Sequence, residues 1–444
     1  MASDGTDFGD KGGGGKDWGA AKAGGFSGPV ESKEGFFSKD FMKKAAVGAV
    51  AGATVVSVTR TSWTRRLGGA FIGMVLGIIF IPLSIWLLSW NEGRAVQTAR
   101  SLTEGAGLVQ SLPADRVDRA AEGRLVHVAG PIAVAGRVRD PDFGVEAPAG
   151  AVRLRRSVEM YQWREVSHSD SRVRTGGSQE TTTTTTYERV WSSSAIDSRN
   201  FRVPDGHQNP PMRFAARSFT VGDATLGAFR LDERVLASVG AEEPLVAGAL
   251  PGGAAPGGKG DPAGPQLVDG RIYVGGDPSA PQIGDTRISF TYARPQALSI
   301  VARQAGSGFV PFQTRAGDAL LMVVAGVTPA AEMFQSAQDQ NVFLTWMIRF
   351  GGSLLMFIGW AMILRPIAVA ADVLPVLGTL VRAGTGLLGM ALTAIVAPVT
   401  IAIAWFWVRP LLALIVLGGG AAVVAGIVHI ARSRRPSPTA APNA

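Results

Sequence analysis

The sequence predicts a multi-pass α-helical membrane protein with four spans and a large β-rich α+β extramembrane domain. Two observations carry that prediction. Apolar stretches lie at 67–90, 343–364, 383–408 and 411–431, and each supplies the roughly 20 residues a helix needs to cross a hydrocarbon core. Between the first and second lies a polar region, 91–342, long enough to enclose a core of its own.

Residues 1–66 precede the first span, and the first 44 mix Gly with Lys, Asp and Phe without a period. That region reads as largely disordered and cytoplasmic. Ala45 to Val58 is apolar but too short to cross and diluted by glycine, so it reads as a linker or a surface-lying segment. The first span, Leu67 to Trp90, holds no charged residue, and Gly69, Gly73 and Gly77 recur along it every fourth position. Gly418, Ala422 and Gly426 repeat that spacing on the last stretch. Small residues so spaced let helix backbones approach closely, so spans one and four are expected to pack through these faces. Chance in a chain of 57 glycines is the competing explanation. Asn91, Glu92 and Arg94 lie where the first span leaves the bilayer. They either fix that junction by capping and ion pairing or form a simple interfacial boundary.

The polar region reads mainly as strand. In Val152 to Glu165, Val152, Leu154, Val158 and Met160 share one face by alternation. Thr181 to Trp191 opens with six consecutive threonines, whose β-branching favours strand. The two runs are expected to form a long hairpin that brings Tyr161 and Trp163 near Tyr187 and Trp191. These four aromatics read either as an exposed interaction face or as core. Thr286 to Tyr292, Leu298 to Arg303, Phe309 to Gln313 and Ala319 to Val327 are further strands, and Asp223 to Val239 is an amphipathic helix by pattern. Gly248 to Pro265 is a Gly/Pro/Ala tract, read as a flexible insertion at 248–265. Thr328-Pro329 starts a helix that leads towards the second span, with Glu332 near its positive end.

Charge sets the expected topology. Arg60, Arg65 and Arg66 precede the first span, Arg365 and Arg382 follow the second, and Arg432, Arg434 and Arg435 follow the last. The positive-inside bias therefore places both termini, the loop 365–382 and the tail 432–444 in the cytoplasm, with the domain on the opposite side. The net charge is +8. Because the basic residues are spread along the chain and flank the spans, this excess reads as cytoplasmic retention and not as nucleic-acid binding. There is no cysteine, which removes disulfides, thiolate metal sites and thiol catalysis together. The polar, glycine-rich start does not read as a cleavable signal peptide.

Several strings imitate catalytic motifs. Gly384 to Gly389 matches a dinucleotide fingerprint, but it falls in an apolar helix with no preceding strand. Asp142-Phe143-Gly144 spells a kinase magnesium motif without its companions, and Asp140-Pro141-Asp142 reads as a turn. The four histidines, His127, His168, His207 and His429, have no metal-ligand spacing. No metal, cofactor or catalytic residue is expected. Arg365, Asp372, Arg382 and Arg409 sit at span ends, whereas an ion path places ionisable groups within a bundle, so transport is poorly supported.

An ordered set of uncommon strings carries a family resemblance. They are Asn91-Glu92-Gly93-Arg94-Ala95, Glu122 to His127, Val158 to Trp163, Gly206 to Pro210, Ile283-Gly284-Asp285 with Ile288 to Ala293, and Val310-Pro311-Phe312 with Gly317 to Leu320. Together they resemble the transmembrane protein 43 family, also called LUMA, over about Trp63 to Ala431. That resemblance implies four spans, a large lumenal domain, and residence in the endoplasmic reticulum and inner nuclear membrane in animals, with lamins and emerin among the partners. It implies no catalytic residues. The Ala/Gly/Arg-rich composition suggests a bacterial source, for which the equivalent site is the inner membrane with a periplasmic domain. The expected function is a non-enzymatic scaffold that organises membrane complexes, its partners being the lipid bilayer, copies of itself and other membrane proteins. The competing reading is an envelope lipid-binding protein, or an enzyme on lipid or envelope substrates with His127 or His207 as general base.

Overall fold

The computed structural model describes residues 54–240, 242–247, 265–408, 418–420, 422 and 425–426. The chain enters through a strand, β1 (Val55–Thr61), and turns directly into a helix, α1 (Trp63–Leu108). Ser62 caps that helix, its hydroxyl accepting from the Arg65 amide, as a helix start requires. Residues 55–61 fall in the region expected to be disordered. They are ordered because Val55, Val56, Val58, Thr59 and Thr61 are β-branched and pair with the equally β-branched threonine run. That partner lies more than a hundred residues away, so no local pattern announces it.

The domain follows as β2 (Gln110–Leu112), β3 (Leu125–Ala135), β4 (Arg153–Val173), β5 (Gln179–Ser192), β6 (Arg217–Thr220), β7 (Asp223–Leu226) and β8 (Phe229–Arg230). A short helix, α2 (Glu233–Ala237), leads to β9 (Glu243–Leu245), β10 (Pro265–Val268), β11 (Arg271–Val274), β12 (Thr286–Ala293) and β13 (Ala297–Ala305). The last strands are β14 (Gly308–Val310), β15 (Phe312–Gln313), β16 (Ala319–Leu320) and β17 (Met322–Ala325). One sheet runs β1-β5-β4-β12-β11-β10, with β6 on β4 and β9 on β12; a second runs β14-β13-β3-β7-β8, with β17 on β13 and β2 on β3. Alternation explains the core. Leu154, Val158, Ile288 and Phe290 of the first sheet meet Val126, Val128, Leu298 and Ile300 of the second in one buried cluster.

Asp223 to Val239 is not one amphipathic helix: it holds β7, β8 and the five-residue α2. Gly227, at φ +57°, breaks the run and turns the chain between the two strands. Arg156 shares the buried face of β4 with Leu154 and Val158. The turn Asp140-Pro141-Asp142 supplies its counter-charges: Nη1 donates to Asp140 Oδ2 and Asp142 Oδ2, each at 2.8 Å.

Two further long helices follow the domain, α3 (Ala330–Ala371) and α4 (Pro375–Val408). With α1 they are the three described helices long and apolar enough to cross a membrane. Their outward faces are the large apolar side chains expected against lipid, among them Phe71, Ile72, Trp86, Phe343, Phe350 and Leu387. The proposed fourth span at 411–431 lies mostly outside the described residues. Hydropathy marks the apolar part of each helix and not its end. The loop expected at 365–382 is mostly helical, since α3 continues to Ala371 and α4 begins at Pro375. The helix predicted at Thr328-Pro329 does run unbroken into the second span, but Pro329 occupies its N-cap without a side-chain bond.

Candidate functional site

Asn91, Glu92 and Arg94 do not mark the end of a helix. α1 passes through them and continues to Leu108, so its geometry turns Asn91 and Glu92 inward, where both are buried. Glu92 Oε1 accepts from Arg349 Nε at 2.7 Å and Oε2 accepts from Arg349 Nη2 at 2.8 Å. The indole N–H of Trp405 donates to the same Oε2 at 2.6 Å. The guanidinium also lies 4.8 Å from the ring centre of Trp346 and 5.7 Å from that of Trp405. One carboxylate therefore joins α1, α3 and α4.

A second layer adjoins it. Asn91 Nδ2 donates to the Thr345 carbonyl at 3.2 Å. Arg94 donates to Asn341 Oδ1 at 3.0 Å, to Asn91 Oδ1 at 3.2 Å and to Thr345 Oγ1 at 3.1 Å. Asn341 Nδ2 returns a bond to the Ala95 carbonyl at 2.9 Å. A buried ion pair contributes little net stability, because desolvation offsets the Coulomb attraction. Its effect is on register: sliding α1 past α3 by one turn strands several of these groups without partners. Arg349 is the residue that sequence reasoning passed over. It is the only charge between Phe343 and Leu364, and an ionisable group inside a span is itself the signal of a partner.

The other end of the bundle carries a second polar node. Asp372 is buried and accepts from Arg66 Nη2 at 2.6 Å and from Arg382 Nη2 at 2.9 Å. The tip of the β4–β5 hairpin is fastened there. The Gly176 amide donates to the Val373 carbonyl at 3.1 Å, and Arg66 Nη1 donates to the Gly177 carbonyl. Trp63 Nε1 closes the clasp on the Val369 carbonyl at 2.9 Å.

The predicted hairpin forms, with Tyr161 opposite Trp191 and Glu165 opposite Tyr187. The four aromatics do not make one face. Tyr161 and Trp191 lie 5.2 Å apart and Trp191 lies 6.2 Å from Tyr273. Trp163 and Tyr187 are buried and enclose His207, at ring distances of 4.8 and 3.9 Å. The Tyr187 hydroxyl donates to Glu165 Oε2 at 2.8 Å. Burial, and then that carboxylate, push its pKa up to about 12. His207 Nδ1 bonds the Val203 carbonyl at 3.1 Å. At His127, Nε2 faces the Thr328 carbonyl at 3.0 Å and Nδ1 faces the Ser111 hydroxyl at 3.3 Å. A carbonyl only accepts, so Nε2 carries the proton and Nδ1 receives the hydroxyl. Burial lowers the His127 pKa, against the smaller opposing effect of the Thr328 carbonyl.

Among the described residues, the glycine stripe of α1 meets α3. A methyl group at Gly77 would lie 2.6 Å from the Gly359 carbonyl oxygen, and one at Gly73 would lie 3.8 Å from Met362 Cε. A methyl group at Gly69, Gly418 or Gly426 would have no described neighbour within 4 Å. Ala422 is exposed. The packing expected between spans one and four falls mostly outside the described residues; among the described residues the stripe packs on α3, where Gly359 faces Gly77.

Comparison with known proteins shows where these features belong. A family model described as transmembrane protein 43 matches residues 160–410. The mouse (Mus musculus) protein of that name is 33% identical over 86% of this chain and 95% of its own. This chain belongs to the transmembrane protein 43 family. The human (Homo sapiens) member is also 33% identical over 86% of this chain and 95% of its own. The Drosophila melanogaster homologue is 31% identical over 83% of this chain and 95% of its own. No solved structure matches. Family membership and three apolar helices make this transmembrane protein 43 homologue an integral membrane protein.

Proposed function

We propose that this transmembrane protein 43 homologue is a non-enzymatic scaffold that organises membrane protein complexes through its domain and its own self-association. The observation that carries this reading is the continuity of α1 and α3 from the apolar segments into the domain. Gln97 on α1 donates to Asp318 at 2.7 Å, Ser101 shares a bond with Thr314 at 2.9 Å, and the Arg315 amide donates to Glu104. Bundle and domain therefore move as one body, which suits a part that holds partners at a set distance from the bilayer. In the same reading Asn91, Glu92 and Arg94 fix the register of the membrane junction, and the domain faces away from the cytoplasm.

The bonding of the histidines weighs against the enzyme reading. A general base needs a nitrogen free to reach substrate. Both nitrogens of His127 are engaged, and His207 is held by Val203 and enclosed by two rings. Crosslinking of native membranes, followed by purification of this chain and mass spectrometry, tests the scaffold. Recurrent protein partners or copies of itself are the expected result. A clean monomer carrying one defined lipid or small molecule would defeat it.

A further inference from the structure

The hairpin and the helix bundle reach the same two ends. α1 is bonded to the domain at Gln97 and Ser101 and to the hairpin tip at Arg66. From Arg66 to Gln97 the helix rises about 45 Å. β4 leaves its pairing with β12 at Met160, and from there to the tip at Arg174 an extended strand also covers about 45 Å. A three-stranded ribbon of β4, β5 and β1 therefore covers the same length as the membrane segment of α1 and meets the bundle at its tip. This also bears on topology: β1, assigned to the cytoplasm, and β5, assigned to the far side, are hydrogen-bonded neighbours. Both assignments cannot hold unless the ribbon itself crosses the membrane plane.

A ribbon at that depth has two backbone edges to satisfy. Among the described residues, no strand pairs with the outer edge of β1 or with the outer edge of β4 from Arg164 to Val173. Lipid offers no hydrogen bonds, so irregular or open-edged backbone is stable there only against protein or enclosed water. The two faces differ. On one, hydroxyls pair across the strands: Ser167–Thr185 at 3.0 Å, Ser169–Thr183 at 2.9 Å and Ser171–Thr181 at 2.8 Å. The other carries Arg60, Glu180, Asp170 and Arg172 beside the exposed Val56 and Val58, and its charged groups need water.

We propose that the open edge of β1 in one copy pairs in parallel with the open edge of β4 in the next. A closed ring of ribbons results, with the charged faces around enclosed water. A second copy is the occupant because its complementary edge lies at the same depth. β1 and β4 run in the same direction, so one rotation repeated around an axis satisfies every edge. This deepens the self-association in the proposed function and rests on it.

The chain has no cysteine, so paired cysteines report directly. Ser57→Cys is combined in turn with Ser167→Cys, Ser169→Cys and Ser171→Cys in the full chain, and native membranes are oxidised. Within one copy β1 and β4 are two strand spacings apart, about 10 Å, beyond the reach of about 7 Å for a disulfide. The expected result is a ladder of dimers, trimers and larger species for at least one pair, and none for any single variant. Dimers from Ser57→Cys alone would overturn the ring in favour of a two-fold edge contact. If no pair links while a lysine-reactive crosslinker still joins copies, the ribbon pairing is wrong and the self-associating scaffold stands. Absence of links by either chemistry removes both.

Discussion

The carboxylate of Glu92 and the guanidinium of Arg349 meet in a two-point contact, at 2.7 and 2.8 Å, at the domain end of the helix bundle. Glu92 is buried and the Arg349 side chain is largely covered, so the carboxylate has no water to fall back on if the guanidinium is removed. Arg349→Met should therefore destabilise by about 3–5 kcal/mol, and Glu92→Leu with Arg349→Met by clearly less than the sum of the single variants. Thermal unfolding of the detergent-solubilised protein, run as a double-mutant cycle, measures the coupling.

Gly77 and Gly69 share a stripe but not a neighbour. Gly77→Leu drives a side chain into the Gly359 carbonyl and Ile363 and should cost about 1–3 kcal/mol, the range for overpacking. Gly69→Leu, facing open space, should change the unfolding temperature little. Equal effects at the two positions would show that α1 and α3 do not pack as described.

Gly177 stands at φ +76° against the indole of Trp63. Gly177→Val adds both backbone strain and a clash, so the hairpin tip should come away from Asp372 and Val373. Limited proteolysis at Arg172 and Arg174 should then accelerate, while the domain core keeps its protection. Unchanged cleavage would mean the clasp does not hold the tip.

His127 supplies a pH dependence of known sign. Its folded pKa is lowered from the ordinary value of 6.5 by burial, so the unfolded chain binds the proton more readily. Stability from the neutral ring is fully present above about 6.5 and is lost as pH falls through the lower folded value. Unfolding midpoints between pH 8 and pH 5 should fall for the native chain and fall less for His127→Gln. Parallel curves would place the titration elsewhere.

Local pattern was enough for much of this. The strand expected at Thr286 to Tyr292 is β12, and the β-branched run with its facing strand foretold the hairpin. Asn91, Glu92 and Arg94 stood out as polar residues after an apolar run, yet their partners Asn341, Thr345, Arg349 and Trp405 lie some 250 to 313 residues away. The stripe of Gly73 and Gly77 showed that some helix packs closely on α1 but not that it is α3.

What the sequence by itself determined is therefore the integral membrane character and the β-rich domain, because hydropathy and two-residue alternation are properties of neighbours along the chain. Only the tertiary structure decided that β1 joins the threonine strand, that Asp372 clasps the hairpin tip, and that one carboxylate ties three helices. Each of these depends on which distant groups can satisfy a buried charge or an open strand edge. Several candidates of the same chemistry exist along the chain, and only folding selects among them.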